Sequence, residues 1–275
     1  MLYHEQKSQT IHDGSLREDK GSHGAVTDIL ARKNLIALQG CSEYNCPRME
    51  ISFLYLAFYV GIVLLCSAAA YLIGSVPFGY LAGKLNGVDL REHGSCNIGA
   101  TNAVRVLGKK WGIPVFVCDF LKGLLPLLGV RLMLGMDVTQ MDIWQASLFI
   151  CVMISLVLGH TYTCFLGFKG GKGVATTAGC LFALPLTIGV TAAVTWVLMM
   201  IITRYVSLSS MLAGVAMVSA ALHVLWVEDG ECSAADALIL SVLFIVLVLV
   251  IYKHRSNIER LCAGTEPKAF SKKKS

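Results

Sequence analysis

Polar and apolar positions segregate into long blocks along this chain. No charged residue occurs between residues 51 and 83. A membrane-crossing helix needs about 20 apolar residues at 1.5 Å each. The pattern therefore predicts a first spanning helix within 51–73, with Gly74, Pro77 and Gly79 marking its exit. Residues 111–135 form a second candidate, interrupted by Asp119 and Lys122, and 143–168 a third. The long apolar run 174–203 contains Pro185, so it reads as one tilted helix or as two short ones broken at the proline. Residues 205–227 and 237–252 complete the set, the last continuing as a polar helix through Leu261.

Composition agrees with that pattern. Of 275 residues, 55% are hydrophobic and only 15% charged, against about 25% charged in an ordinary soluble domain. Disorder is excluded for most of the chain. The excess of 23 Lys+Arg over 18 Asp+Glu is too mild for a nucleic-acid module. The ten cysteines form no C-x-x-C pair, so no zinc or thioredoxin-like site is expected. Cys66, Cys118, Cys151 and Cys180 lie in apolar runs and read as small hydrophobes. Cys41 and Cys46 stand apart in a polar stretch and are a candidate disulfide on an oxidising side.

Residues 1–48 differ from the rest: polar, near-neutral and without a long apolar run. They read as a poorly ordered extension, and Met49 looks like an alternative start. The expected organisation is an extension over 1–48 and an integral membrane domain over 49–275.

Charge distribution sets the orientation. Residues 84–110 hold Lys84, Arg91, Arg105, Lys109 and Lys110; the turn after the third apolar run holds Lys169 and Lys172; Arg204 follows the long run; and seven Lys/Arg lie in 253–275. The connections 137–142 and 228–236 carry acids and no basic residue. The basic connections share one side only if 174–203 crosses twice. The expected fold is thus an all-α bundle of about seven transmembrane helices, N-terminus outside and C-terminus cytoplasmic.

Three polar clusters then fall on the cytoplasmic face. The first runs from Asp89 and Arg91 through Gly94, Ser95, Cys96, Asn97, Gly99, Thr101 and Asn102 to Arg105. Small residues admit close backbone approach, exposed N–H groups form anion nests, and guanidinium forks suit phosphate. The plain alternative is an ordinary loop with glycine-rich helix ends. The second cluster is Gly159-His160, then Phe168-Lys169-Gly170-Gly171-Lys172-Gly173-Val174-Ala175-Thr176. Glycines opening a helix present N–H groups and a positive dipole end to an anion. It is not a Walker A loop, because Leu166 and Gly173 occupy positions that motif needs as Gly and Ser/Thr. Taken alone it is equally a basic turn. His160 reads as a structural hydrogen-bonder. The third cluster is Lys253-His254-Arg255-Ser256-Asn257-Ile258-Glu259-Arg260-Leu261, then Gly264-Thr265-Glu266; His254 and Asn257 share a helix face. Asp119 and Lys122, also i,i+3, read as an ion pair within a span.

These residues resemble the bacterial acyl-phosphate-dependent glycerol-3-phosphate acyltransferases, the PlsY family. The resemblance rests on Gly74-Ser75-Val76-Pro77-Phe78-Gly79 and on the three clusters in order, over roughly residues 49–268. It implies a bacterial inner-membrane enzyme, multi-pass, with its active site on the cytoplasmic face, that makes lysophosphatidic acid as the first step of phospholipid synthesis. The implied partners are acyl phosphate, glycerol 3-phosphate and membrane lipid; no cofactor, metal or nucleic acid is expected. Ser95 and Arg105 match the family's essential serine and arginine, and His254, Asn257 and Glu266 its third motif; these are the expected catalytic residues. Arg91, Asn97, Thr101, Asn102, Lys169, Gly170, Gly171, Lys172 and Gly173 are the expected substrate-binding residues. Two departures stand out. Cys96 occupies a position where many relatives have Gly, so a positive φ there is unfavourable, and Thr163 stands where many have Pro.

The donor is a mixed anhydride, so positioning and oxyanion stabilisation suffice. Direct transfer fits best, with a donor phosphate oxygen accepting the proton, since the sequence shows no well-placed Asp-His pair; Ser95 as nucleophile is the rival. His23…Asp28 has the spacing of acyl-CoA-dependent acyltransferases but lies in the tail. A transporter of a phosphorylated solute is the alternative class. It fits less well, because no internal repeat is visible and the motifs cluster at one face.

Overall fold

The computed structural model describes residues 45–227 and 233–269. The expectations for residues 1–44, for the Cys41–Cys46 pair and for most of the acidic connection 228–236 lie outside the described residues. Two compact units divide between Tyr59 and Val60, and the second holds all three motifs. Among the described residues every regular element is helical: α1 (Asn45–Ser75), α2 (Phe78–Leu85), α3 (Ala100–Leu107), α4 (Lys109–Met133), α5 (Ile143–Thr161), α6 (Val174–Leu181), α7 (Leu186–Thr203), α8 (Val206–Leu222), α9 (Ala234–Lys253) and α10 (Arg255–Cys262). A short 3-10 turn at Cys164–Leu166 and a π turn at His223–Val227 sit in the connections.

Among the described residues six stretches are long and apolar enough to cross a membrane: Ser52–Leu85, Lys109–Met133, Ile143–Leu166, Leu186–Thr203, Val206–Leu225 and Ala234–Lys253. The run 174–203 is indeed two helices, with Pro185 as the N-cap of α7. Its first half, α6, has only eight residues, about 12 Å of rise, short of a hydrocarbon core of about 30 Å. α4 continues unbroken through Pro114 and Pro126.

Most of α7 is apolar all round. Leu186, Val190, Val194, Val197, Leu198 and Ile201 are exposed along one side, a surface that suits lipid and not water. Phe149, Leu156, Leu184, Ile188, Ile239 and Leu243 fill the interior. Helices approach closely where side chains are smallest. Gly74 of α1 lies against the Leu156 carbonyl and Gly159 of α5 against Tyr71, while Gly123 of α4 lies against the Thr176 carbonyl of α6; a Cβ at any of them would overlap backbone.

Contacts gather helix ends at one face. The Thr163 hydroxyl, just after α5, donates to the Ser75 carbonyl at the end of α1 (2.6 Å). Gly171, before α6, donates to the His160 carbonyl (2.9 Å). Ser207, opening α8, reaches Glu266 beyond α10, and Ala269 donates to the Arg204 carbonyl at the end of α7 (2.8 Å). The run 174–203 therefore leaves this face and returns to it, as the charge pattern requires.

Candidate active site

The second and third clusters meet directly. Lys172 Nζ donates to Asn257 Oδ1. Asn257 Nδ2 donates in turn to Glu266 Oε1 (2.6 Å), which also accepts from Ser207 Oγ (2.8 Å). Arg260 Nε donates to the other carboxylate oxygen (2.8 Å). A carboxylate with three donors sits below a lysine and an asparagine. Burial pushes Glu266 up, but the hydrogen bonds from Asn257, Ser207 and Arg260 outweigh it and hold the carboxyl below its ordinary range. Burial lowers Lys172 to about 8; Glu266 opposes this shift, and the charges of Arg260 and Arg105 add to it. Arg105, on α3, is itself exposed. Its charge is the smallest of the influences on Lys172.

His254 is nearly fully buried at the turn between α9 and α10. Its Nδ1 lies 2.8 Å from the Val250 carbonyl, which can only accept. Nδ1 therefore carries the proton, and Nε2 is the ring's lone pair. Burial, and then the Lys172 charge, lower the imidazole to about 4. It is a neutral acceptor at physiological pH, not a second cation for phosphate.

The glycine loop lies against the end of α5. The N–H groups of Gly170 and Gly171 are spent on the carbonyls of Thr161 (3.2 Å) and His160 (2.9 Å). A Cβ on Gly170 would overlap the His160 carbonyl, and one on Gly171 the His160 ring. These two glycines let the loop lie on the end of α5. The anion-facing groups are further on. Gly173 takes φ +82° as the N-cap of α6 and offers no side-chain cap, so the first-turn N–H groups of α6 are left for another acceptor. The Thr176 and Thr177 hydroxyls beside them are buried without a partner. Lys169 is exposed on the preceding turn.

The first cluster is a loop folded around Asn102. This buried side chain donates to the carbonyls of Leu90 (3.0 Å) and His93 (2.9 Å) and accepts from Ser95 N–H (2.8 Å). With these bonds it builds the loop and has little left for a ligand. Asn97 accepts from Gly99 N–H (2.8 Å) in a local turn. Ser95 and Thr101 are exposed. Arg91 is paired with Asp89 (2.6 Å) and lies over the Tyr80 ring (4.9 Å); the Arg91 guanidinium holds the Asp89 carboxyl down at about 2. Cys96 adopts φ +54°, the strained conformation expected from its position.

Two participants were missed. Ser207 lies 59 positions from Glu266, and no motif singled it out beyond its place after Arg204. Arg260 was visible in the third cluster but not assigned. An Asp and a His that the sequence did not bring together lie side by side between α4 and α5. Asp119 Oδ1 lies 3.4 Å from His160 Nδ1, with Lys122 Nζ at 2.8 Å from the same oxygen.

The helical bundle, with its polar clusters gathered at the ends of helices, defines the class, an integral membrane protein. Residues 64–264 match the family model described as glycerol-3-phosphate acyltransferase. The chain is 42% identical over 200 residues to the glycerol-3-phosphate acyltransferase of Aquifex aeolicus, covering 72% of this chain and 94% of that one. It is 43% identical over 212 residues to that of Geobacter sulfurreducens, covering 74% and 95%. A crystal structure of PlsY, an integral membrane glycerol 3-phosphate acyltransferase in its glycerol 3-phosphate form, superposes with a TM-score of 0.64 at 37% identity, over 75% of this chain and 94% of that one. The same enzyme in its lysophosphatidic acid form gives 0.62 at 38% identity. The chain belongs to the glycerol-3-phosphate acyltransferase family.

Proposed function

We propose that this protein transfers an acyl chain from acyl phosphate to the sn-1 hydroxyl of glycerol 3-phosphate, releasing lysophosphatidic acid and phosphate at the cytoplasmic face of a bacterial plasma membrane. The observation that carries the reading is the Lys172–Asn257–Glu266 chain beside the uncapped start of α6. It places N–H, hydroxyl and ammonium donors close together in the chain, a set suited to a phosphate. The solved relative was captured with glycerol 3-phosphate and with lysophosphatidic acid, which supports the substrate and the product.

In this reading Lys172 and the first turn of α6 hold one phosphate, and Arg105 holds the other. Aligning the glycerol hydroxyl with the acyl carbon supplies about 7–11 kcal/mol. Donors aimed at the developing oxyanion add about 2.7–4 kcal/mol for each key group. The acyl carbon–oxygen bond to phosphate breaks as the ester bond forms, and a donor phosphate oxygen takes the hydroxyl proton. Ser95 positions substrate. In this reading the run 174–203 leaves the cytoplasmic side and returns to it, with α6 and the turn 182–185 as its short outward arm and α7 as its full-length return, so that the three basic clusters share that side and the N-terminus lies outside.

Donor choice tests this directly. Purified protein given glycerol 3-phosphate should form lysophosphatidate with palmitoyl phosphate and none with palmitoyl-CoA. Turnover with the CoA thioester alone would overturn it.

A further inference from the structure

The mechanism above leaves one group of charges unused. Asp119 and Lys122 of α4 and His160 of α5 are each less than 7% exposed. Lys122 Nζ pairs with Asp119 Oδ1 at 2.8 Å, and the same oxygen faces His160 Nδ1 at 3.4 Å. Burying charges costs several kcal/mol per ion, and a pair that serves stability alone is often replaceable by apolar side chains. Charges kept inside a membrane bundle call for a further reason.

The surroundings supply one, because this cluster touches both halves of the site. On one side Gly171 rests on the His160 ring so closely that a Cβ would overlap Nε2, and the loop is pinned there by the Gly171 N–H to the His160 carbonyl. Lys172 is the next residue. On the other side Lys122 Nζ donates to the Val76 carbonyl (2.8 Å) and lies 5.5 Å above the Phe78 ring. Val76 and Pro77 form the elbow between α1 and α2, and Gly79, at the start of α2, packs on the Ile98 carbonyl so closely that a Cβ would overlap it. Ile98 lies in the first cluster, three residues from Ser95.

We infer that Asp119, Lys122 and His160 are positioning residues, a buried bracket that fixes the Lys172 loop in register with the Ser95 loop. Asp119 Oδ1 faces His160 Nδ1 across 3.4 Å, on the ring against which the glycine loop rests, and Lys122 ties the same carboxylate to the elbow that packs against the first cluster. The bracket touches no substrate. It acts through the spacing of two elements that meet their neighbours backbone to backbone, Gly79 of α2 against Ile98 and Gly170 against the end of α5.

The test uses the full-length protein in detergent. Asp119→Asn leaves Lys122 unpaired and is expected to lower the melting temperature. The neutral pair Asp119→Asn with Lys122→Met removes that penalty, and His160→Phe keeps the ring volume while losing Nδ1. Two readouts separate positioning from stability. The kinetic one rests on the acyl-phosphate reading: kcat/KM for acyl phosphate should fall at least tenfold in the neutral pair and in His160→Phe, even where melting matches wild type. The second needs no turnover. The pH dependence of Lys172 labelling by acetic anhydride, followed by mass spectrometry, reports its titration beside Arg105, Arg260, Glu266 and His254. A loop released from the bracket exposes Lys172 to water, so its midpoint should rise by at least one pH unit from the wild-type value. The inference is overturned if the neutral pair and His160→Phe keep the wild-type labelling midpoint. A wild-type enzyme inert toward acyl phosphate would instead refute the donor and leave the labelling arm to decide the bracket.

Discussion

Lys172 Nζ donates to Asn257 Oδ1 across 85 positions of sequence. This bond ties the glycine loop before α6 to the helix after α9. It also connects the ammonium, through one amide, to a carboxylate that takes two further donations, from Ser207 and Arg260. The lysine is thus placed without being neutralised, since Glu266 contacts Asn257, Ser207 and Arg260 by hydrogen bonds and Lys172 only through its field.

That arrangement sets a pH dependence. Lys172 is lowered to about 8 by burial, so it is charged below that pH and loses its proton above it. The kcat/KM of the wild type should fall as pH rises through about 8. In Lys172→Arg the guanidinium stays charged to above pH 12, and the alkaline limb should disappear even if the plateau is lower. An unchanged limb would assign it to another group.

Glu266 gives the opposite sign. Its folded-state value lies below the ordinary carboxylate value, so its contribution to stability is present above about pH 4.5 and is lost as pH falls through the folded value. Glu266→Gln should melt earlier at neutral pH, by about 1–3 kcal/mol for the charged hydrogen bonds lost. Its melting temperature should also vary less between pH 5 and pH 3 than that of the wild type. Thermal denaturation in detergent at several pH values measures both.

Cys96 holds φ +54° with its free thiol exposed. An L-residue in this region pays about 1–2 kcal/mol, partly offset in a Cys→Gly change by about 0.5–1 kcal/mol of added chain entropy. Cys96→Gly should therefore raise the melting temperature slightly and leave kcat within twofold. A fall in stability would show that the thiol packs productively.

Asn102 uses its amide to hold Leu90, His93 and Ser95 in one loop. Asn102→Ala should cut kcat/KM more than tenfold through displaced Ser95, and Asn102→Asp should not restore it, because a carboxylate cannot donate to the two carbonyls. Steady-state kinetics on both variants, with melting curves, checks this.

The membrane architecture was legible because apolar runs and basic connections are local signals. The break in 174–203 was signalled by Pro185, and the return of that run to one face by the basic residues at its two ends. The roles of individual polar residues were less legible. Glycines 170 and 171 look like phosphate binders in sequence, yet their N–H groups are consumed by the end of α5. Asn102 looks like a ligand and is the loop's internal scaffold. Arg91 looks like a phosphate fork and is paired with Asp89. In each case hydrogen-bonding capacity was visible but its partner was not, since carbonyls carry no signature in sequence. Ser207 and the Asp119–His160 pair were hidden for the related reason that helices distant in sequence bring them together.

The central claim is that the Lys172–Asn257–Glu266 chain forms the phosphate site of an acyl transfer. Measuring kcat/KM for acyl phosphate and for glycerol 3-phosphate in wild type and Lys172→Met tests it most directly. The account predicts a loss of about 10²–10³ in kcat/KM for at least one substrate, with the melting temperature within a few degrees of wild type. Kinetics within twofold of wild type for both substrates would contradict it.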